Sequence, residues 1–319
     1  MVNLVCFIAS HVTKSRFPFV VELFASIKSQ TVFCPIFLSW HAEDEETKTL
    51  MQVLLDETKV IIGKYSNVKL SQFEHYATLL PYAKENSYVM FSDDDDLWST
   101  DRMEIMQKAL EHCIDNKFKF SRIIFPDYAE LYINGKSKRK EYKDEESKLD
   151  LDHWAIIVPS IVLKEFLTTT PKWIIGNRYC DSRFCLYTRA DQINGLEETA
   201  VIDNDKIPYT YRIRDDGMCE GAKKVTHRFA DNLKNVLDIR IVNILAKCLH
   251  EDVNTFINYF NINLEIAIIK LYPDTDSIKR YLLNNCFIIR STAQEKIIHD
   301  CINRLWPAIS QWIHTTYNV

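Results

Sequence analysis

Five short apolar runs, separated by four stretches with helical spacing, fill the first 125 residues of this chain. The runs lie at 4–9, 35–40, 59–63, 89–92 and 121–125. Between them, Val20, Leu23, Phe24 and Ile27 repeat at three- and four-residue intervals. So do Phe73, Tyr76, Leu79 and Leu80, and then Met103, Met106, Leu110 and Cys113. A continuous apolar run of this length is a strand buried on both faces, as in a parallel sheet. Strands that alternate with helices must be joined by crossovers, and crossovers are right-handed. The expected architecture is therefore α/β, a mostly parallel twisted sheet flanked by helices. Local chemistry agrees. Pro18 suits a first helical turn, the acids Glu43 to Glu46 suit a helix N-terminus, and Ser71 and Ser99 or Thr100 suit caps.

The fourth run ends in Asp93-Asp94-Asp95-Asp96-Leu97-Trp98. Four adjacent carboxylates repel one another and become tolerable when a divalent cation or protons neutralise them. The carboxyl ends of parallel strands are also where open α/β sheets place ligands. Two readings follow: an Mg²⁺ or Mn²⁺ site for a phosphorylated substrate, or a solvated acidic turn before the next helix. With only 6 glycines and no GxGxxG or GxxxxGK[ST], a phosphate would have to be held by metal and side chains. The net charge of −5, without a basic tract, disfavours nucleic acid as a partner. Nine scattered cysteines without a CxxC suggest a reducing compartment and no zinc cluster. No stretch has the form of a signal peptide or the ~20 apolar residues of a membrane span, so a cytoplasmic location is expected.

Three blocks are expected: 1–125, 126–222 and a helical subdomain, 223–319. The second opens with one arm of a hairpin before Asn134-Gly135, then a charged loop at 136–148. An apolar stretch at 154–158, helices near 162–167 and 184–187, short strands at 200–202 and 209–213, and a turn at 214–217 follow. The third carries an apolar stripe from Phe229 to Cys248 and a capping box of Ser291 with Gln294. Its last stretch sets Trp306 and Trp312 beside Arg304 and His314. This amphipathic segment is expected to pack on the catalytic part, with peripheral membrane contact or a homodimer as the alternatives.

Taken with the helix end Ser26-Ile27-Lys28-Ser29-Gln30-Thr31, the strand ending in four acids, an apolar residue and Trp98 resembles a known pattern. It is similar to the nucleotide-sugar-binding half of GT-A glycosyltransferases, in particular the large family-2 group. The likeness is close over 3–125 and loose over 150–217. It implies a Rossmann-like GT-A sheet, a nucleoside-diphosphate sugar donor, a glycan or glycolipid acceptor, and Mn²⁺ or Mg²⁺ as cofactor. Asp95 would bind the metal, Asp93 would lie near the metal or the donor ribose, and Asp94 and Asp96 would give support. Asp181, in Cys180-Asp181, stands where the family places an acidic pair holding the base of an inverting transfer. The bland alternative makes Asp181 a helix N-cap or an ion-pair partner of Arg178 or Arg183, and Asp127, Asp152 and Asp215-Asp216 compete for the role. Tyr211-Arg212 matches a strand end near the donor, so Arg212 or Arg214 would meet the diphosphate unless each only pairs with Asp215 or Asp216. Ser10, His11 and Thr13 would line the nucleotide pocket. Gln72 and His75 would lie near the donor. Ser39-Trp40-His41 replaces the family's base-reading acid, which leaves Trp40 to stack on the base or to be ordinary core.

Two other functions fit parts of the same pattern. A nucleotidyltransferase uses a similar sheet and acidic metal site, but ordinarily adds a Gly-rich, basic N-terminal loop that is missing here. A catalytically degenerate GT-A domain, kept as a binding module, would explain the altered loop at 10–13 and the missing acid at 39–41.

Overall fold

The structure, a computed structural model, describes residues 3–132, 135–142, 152–188, 198–202, 206–213, 268–271, 274–285 and 292–317. The chain divides into two compact units, Met1–Ile213 and Arg214–Val319.

In the first unit, β1 (Leu4–Val12), β2 (Ile36–Ala42), β3 (Ile61–Tyr65) and β4 (Tyr88–Ser92) alternate with α1 (Phe17–Lys28), α2 (Glu45–Thr58) and α3 (Gln72–Leu79). β5 (Leu97–Trp98), α4 (Arg102–Asp115) and β6 (Phe120–Ile124) follow. Ser71 caps α3 in a full capping box with Glu74, and Asp44 caps α2 through the Thr47 amide. Lys59 ends α2 in the left-handed region, which delays the third strand by two residues from the expected 59–63.

β1 pairs in parallel with β2 and β4, and β2 with β3. The alternation does not continue to β6 as a parallel neighbour of β4. β9 (Ile156–Pro159) lies between them, antiparallel to both, and β10 (Glu198–Val201) flanks β6, so the order is β10-β6-β9-β4-β1-β2-β3. The apolar stretch at 154–158 is thus a central strand, and residues on either side of position 125 share one sheet. A second sheet, β5-β11-β7-β8, brings β11 (Tyr209–Arg212) between β5 and β7 (Tyr128–Leu131). β7, the expected hairpin arm, pairs with β8 (Ser137–Arg139), a strand inside the stretch expected to be a charged loop. α5 (Ser160–Thr169), α6 (Lys172–Ile175) and α7 (Cys180–Tyr187) complete the unit. The core is apolar, with Phe7, Phe73, Phe91, Phe166 and Phe184 fully enclosed. Phe73, Phe166 and Phe184 pack ring to ring at 5.0–5.6 Å, a separation that favours edge-on contact.

In the second unit, α8 (Thr275–Asn285) and α9 (Thr292–Tyr317) are described. Ile278, Leu282, Ile302, Ile309 and Ile313 are buried. Trp306 lies 5.9 Å from the Lys279 ammonium and Trp312 packs on Tyr317. The stripe at 229–248, the turn at 214–217 with Arg214, and Ser291 of the expected capping box lie outside the described residues. Among the described residues no helix is long and apolar enough to cross a membrane.

Candidate functional site

The acidic run leaves the carboxyl end of β4 and turns into β5. Three contacts fix that turn. The Trp98 indole N–H donates to Ser92 Oγ at 2.9 Å, the Trp98 amide donates to Ser26 Oγ at 3.3 Å, and β5 pairs with β11. Gln30 clamps the segment from the other side. Its amide nitrogen donates to the carbonyls of Ser26 and Ser99 at 3.0 and 2.6 Å, and its oxygen accepts the Met103 N–H at 3.0 Å. Thr31 adds a bond from its amide to the Thr100 carbonyl. The helix-end pattern Ser26…Gln30-Thr31 therefore holds the loop that carries the acids.

The four carboxylates alternate in exposure. The Asp93 and Asp95 side chains are 24% and 19% exposed, whereas Asp94 is 5% and Asp96 is fully enclosed. Each buried acid has its own partners. Asp94 takes the Ser10 hydroxyl at 2.5 Å and the Arg16 guanidinium, which also lies 3.4 Å from Asp95. Asp96 accepts the Tyr209 hydroxyl at 2.6 Å and the Arg212 amide at 2.7 Å. Burial pushes Asp96 well up, and the charges of Asp95 and Asp93 add to this against the two donors, so it is held toward its protonated form. Burial would raise Asp93 as well. There the charge and hydrogen bond of His153 prevail, and Asp93 is lowered.

His153 sits beneath the run in a short turn, His153–Ala155, that leads into β9. It is buried, with Nε2 at 3.4 Å from Asp93, 3.0 Å from the Gln72 amide nitrogen and 3.1 Å from the Tyr76 hydroxyl. Burial disfavours the charged ring, but Asp93, Asp181 and Asp152 outweigh it and raise its pKa. Neutral, Nε2 accepts from Gln72 and Tyr76; protonated, it donates to Asp93. The repulsion among the four acids, which from sequence alone called for a dication or protons, is thus eased by the burial that favours neutral Asp96, by Arg16 and by His153. Beneath Tyr209 lies a further buried cation. Arg102 is sandwiched between the Trp98 and Tyr209 rings at 4.5 and 4.1 Å and donates to the carbonyls of Phe91 and Trp154.

Asp181 lies in the first turn of α7, where Tyr179 is the N-cap residue, so it is not the cap. The residue as a whole is half-buried, but its Oδ1 is enclosed and has no hydrogen-bond partner. Burial pushes its carboxyl up to about 6, Asp152 and Asp93 add to the rise, and His153 and the Ser182 amide oppose it. The coupling to both His153 and Asp93 brings Asp181 into the same electrostatic site as the acidic run. A carboxyl that titrates near neutrality can accept a proton from a hydroxyl.

The other expected site residues fall into two groups. Ser10 and Gln72 touch the acidic run, Gln72 through a 2.8 Å bond to Asp93. His11 stacks on His41 at 5.3 Å at the ends of β1 and β2. Thr13 starts α1: its hydroxyl and carbonyl accept the Arg16 and Phe17 amides. Trp40 requires correction: it is 1% exposed and packed against Tyr65 at 4.7 Å, so its ring offers no face to a nucleobase. His75 is likewise core, with Nδ1 2.8 Å from Ser39 Oγ. Arg212 has protein partners at the acidic run and on α1, while Asp215 and Asp216, its expected alternatives, lie outside the described residues. It donates to the Asp95 carbonyl at 2.8 Å and to Glu22 at 2.5 Å, and lies on the Phe19 ring.

Solved structures match this architecture. S. aureus TarS residues 1–349 in complex with UDP-GlcNAc is similar at a TM-score of 0.55 and 11% identity, over 97% of this chain and 90% of that one. The same TarS segment in complex with UDP is similar at 0.53 and 10% identity, with the same coverage. The chain has the GT-A fold. It spans 46% of a longer TarS chain, at a TM-score of 0.48. No protein-family model and no curated protein sequence matches it.

Within the GT-A frame, the residues that sequence reasoning passed over are Arg16, His153, Arg102, Tyr209 and Glu22. Arg16 is in a polar loop and His153 precedes an apolar run, and neither position marks a partner 78 or 60 residues away in the chain. The usable signal was charge balance: four acids in a row require nearby cations, and the chain has to supply some of them. Among the described residues, no three His, Cys, Asp or Glu side chains converge as a ready-made metal cage. Two partly open carboxylates, Asp93 and Asp95, do fit Mg²⁺ or Mn²⁺ of the kind that takes its remaining ligands from substrate phosphate and water.

Proposed function

We propose that the chain is a glycosyltransferase that moves a sugar, with inversion, from a nucleoside-diphosphate donor to a hydroxyl of a glycan or lipid-linked acceptor. The observation that carries this is the pair of partly open acids, Asp93 and Asp95, at the carboxyl end of β4, with the buried oxygen of a proton acceptor, Asp181, within electrostatic range of Asp93 and His153. The fold shared with TarS, whose structures hold UDP-GlcNAc or UDP, supports a nucleotide-sugar donor.

Asp95 and Asp93 would hold the divalent cation, which when bound stabilises charge on the departing diphosphate. The remaining work falls to the chain. Asp181 takes the proton from the acceptor hydroxyl as its oxygen attacks the anomeric carbon and the bond to the diphosphate breaks. Its value of about 6 makes it mostly ionised at neutral pH yet still basic enough to serve. Enclosure of Oδ1 keeps the carboxylate poorly solvated, so it is not levelled by bulk water. His153 fixes Asp93 and, with Gln72, sets the direction of its oxygens. Asp94 and Asp96 support the loop, Asp94 by Ser10 and Arg16, Asp96 by Tyr209 and the Arg212 amide.

A donor screen tests this directly: turnover of UDP-, GDP- and dTDP-sugars, with and without Mn²⁺, alongside thermal stabilisation by the matching diphosphates. Release of the diphosphate from at least one donor, abolished in Asp95→Ala, is expected. Neither turnover nor stabilisation with any donor would overturn the proposal.

A further inference from the structure

The Arg16 guanidinium sits beside Asp95, one of the two carboxylates that would receive a metal. It bonds to Asp94 and lies 3.4 Å from Asp95 Oδ2. It is not a loosely placed surface group. Arg16 precedes α1, its amide is tied to the Thr13 hydroxyl and carbonyl, and its Nε is buried without a partner. Ser10 holds the other oxygen of Asp94, so Asp94 cannot turn away from Arg16 without losing a buried bond. Asp95 is therefore shared. One side chain supplies a carboxylate to both a resident guanidinium and an incoming dication.

We propose that Arg16 makes divalent-cation binding conditional on the nucleoside diphosphate. The inference rests on the metal role proposed above for Asp95. Without a diphosphate, the dication meets a fixed positive charge at its own ligand, and cation–cation repulsion across one carboxylate weakens binding. A diphosphate brings two or more negative charges, gives Arg16 an anionic partner of the kind its planar fork fits, and releases Asp95 to the metal. Even with bulk-water screening, a unit charge beside a dication changes affinity on the order of tenfold or more. Metal and diphosphate then bind with reciprocal cooperativity.

Mn²⁺ binding to the full chain, read by electron paramagnetic resonance, tests this without using turnover. The wild type should bind Mn²⁺ weakly alone and on the order of tenfold more tightly with UDP or GDP. Arg16→Gln should bind Mn²⁺ tightly without any diphosphate and gain little from one. Arg16→Lys, which keeps the charge but not the fork, should bind Mn²⁺ as weakly as the wild type when no diphosphate is present. If Arg16→Gln proves unstable, the Arg16 Nε–H resonance of the wild type gives a second readout: it should move with Mg²⁺ plus diphosphate and stay put with Mg²⁺ alone. Equal Mn²⁺ affinity for wild type and Arg16→Gln, or a resonance that moves with Mg²⁺ alone, overturns the role of Arg16 while leaving the metal site standing. Absence of Mn²⁺ binding in every variant, with and without diphosphate, overturns the metal site itself.

Discussion

Replacing Asp181 by asparagine separates a catalytic carboxylate from a structural one, because the two roles predict opposite signs for stability. The folded protein holds this acid at about 6, chiefly through burial, against about 3.9 in an unfolded chain. A folded value above the unfolded one means that the native state binds more protons between these values, so stability falls as pH rises from about 4 through about 6. Above that window the burden is complete, about two units or about 3 kcal/mol at most. The asparagine side chain would carry no charge to desolvate but would still enclose an amide, so a gain of about 1–2 kcal/mol is expected at pH 7.5, or a few degrees in Tm. At pH 4 the gain should nearly vanish. Turnover should move the other way: loss of a general base costs about 10²–10⁴-fold. In the wild type, kcat/KM should rise with pH to half its plateau near pH 6, standing at about a tenth of it at pH 5. Initial rates of diphosphate release from pH 4.5 to 8, with thermal unfolding at pH 4 and 7.5, measure both. An Asp181→Asn protein that is less stable at pH 7.5, or that keeps more than a tenth of wild-type turnover, would show that Asp181 is structural.

The other predictions follow from burial and pairing. Asp96→Asn should cost less than about 1 kcal/mol, because burial already holds Asp96 toward the neutral form and an amide can serve Tyr209 and the Arg212 N–H. Asp95→Asn should abolish Mn²⁺ binding measured with UDP present, while leaving urea unfolding nearly unchanged. Gln30→Ala removes three hydrogen bonds, two that tie the end of α1 to Ser99 and Met103 and one to Ser26 within α1, and urea denaturation should show a loss of about 2–4 kcal/mol. His75 is lowered to about 4, first by burial and then by His41. A depressed histidine binds fewer protons folded than unfolded, so stability is lost as pH falls from about 6.5 to about 4, by up to about 3 kcal/mol. His75→Gln should flatten that part of the curve, as read by denaturation midpoints at pH 4.5 and 7.

The fold was legible where local periodicity and sheet register agree. Residues 4–98 carry apolar runs and amphipathic helices in strict alternation, and strands β1 to β4 pair as that alternation requires, with β3 as a largely exposed edge strand. β9 was not legible as a strand because its four residues are apolar in any conformation, and nothing local marks it as antiparallel between β4 and β6. The acidic run stood out as a site candidate on charge alone, but its partners did not. Arg16, His153 and Tyr209 reach it over sequence distances of 78, 60 and 113 residues, set by topology rather than by motif. Trp40 shows the converse. A residue placed by analogy at a ligand-binding strand end is drawn into the core beside Tyr65, because burying an indole outweighs presenting it.

β9 also joins the fold to the chemistry of the site. A parallel sheet that simply continued from β4 to β6 would leave the run of acids facing only β1 and its loop, with Arg16 as the near cation. The inserted strand must be entered from a turn at the carboxyl end of β4, since it runs antiparallel to it. That turn, His153–Ala155, delivers three groups at once. His153 reaches Asp93, the Trp154 carbonyl receives Arg102, and the Trp154 ring stacks on Tyr209 at 4.7 Å, whose hydroxyl holds Asp96. One antiparallel insertion thereby joins β4 to β6 and brings partners to two of the four acids. The partly open pair, Asp93 and Asp95, is then distinguished by what surrounds it: the full enclosure of Asp96 and the ion pair of Asp94 leave those two carboxylates as the ones able to take a ligand.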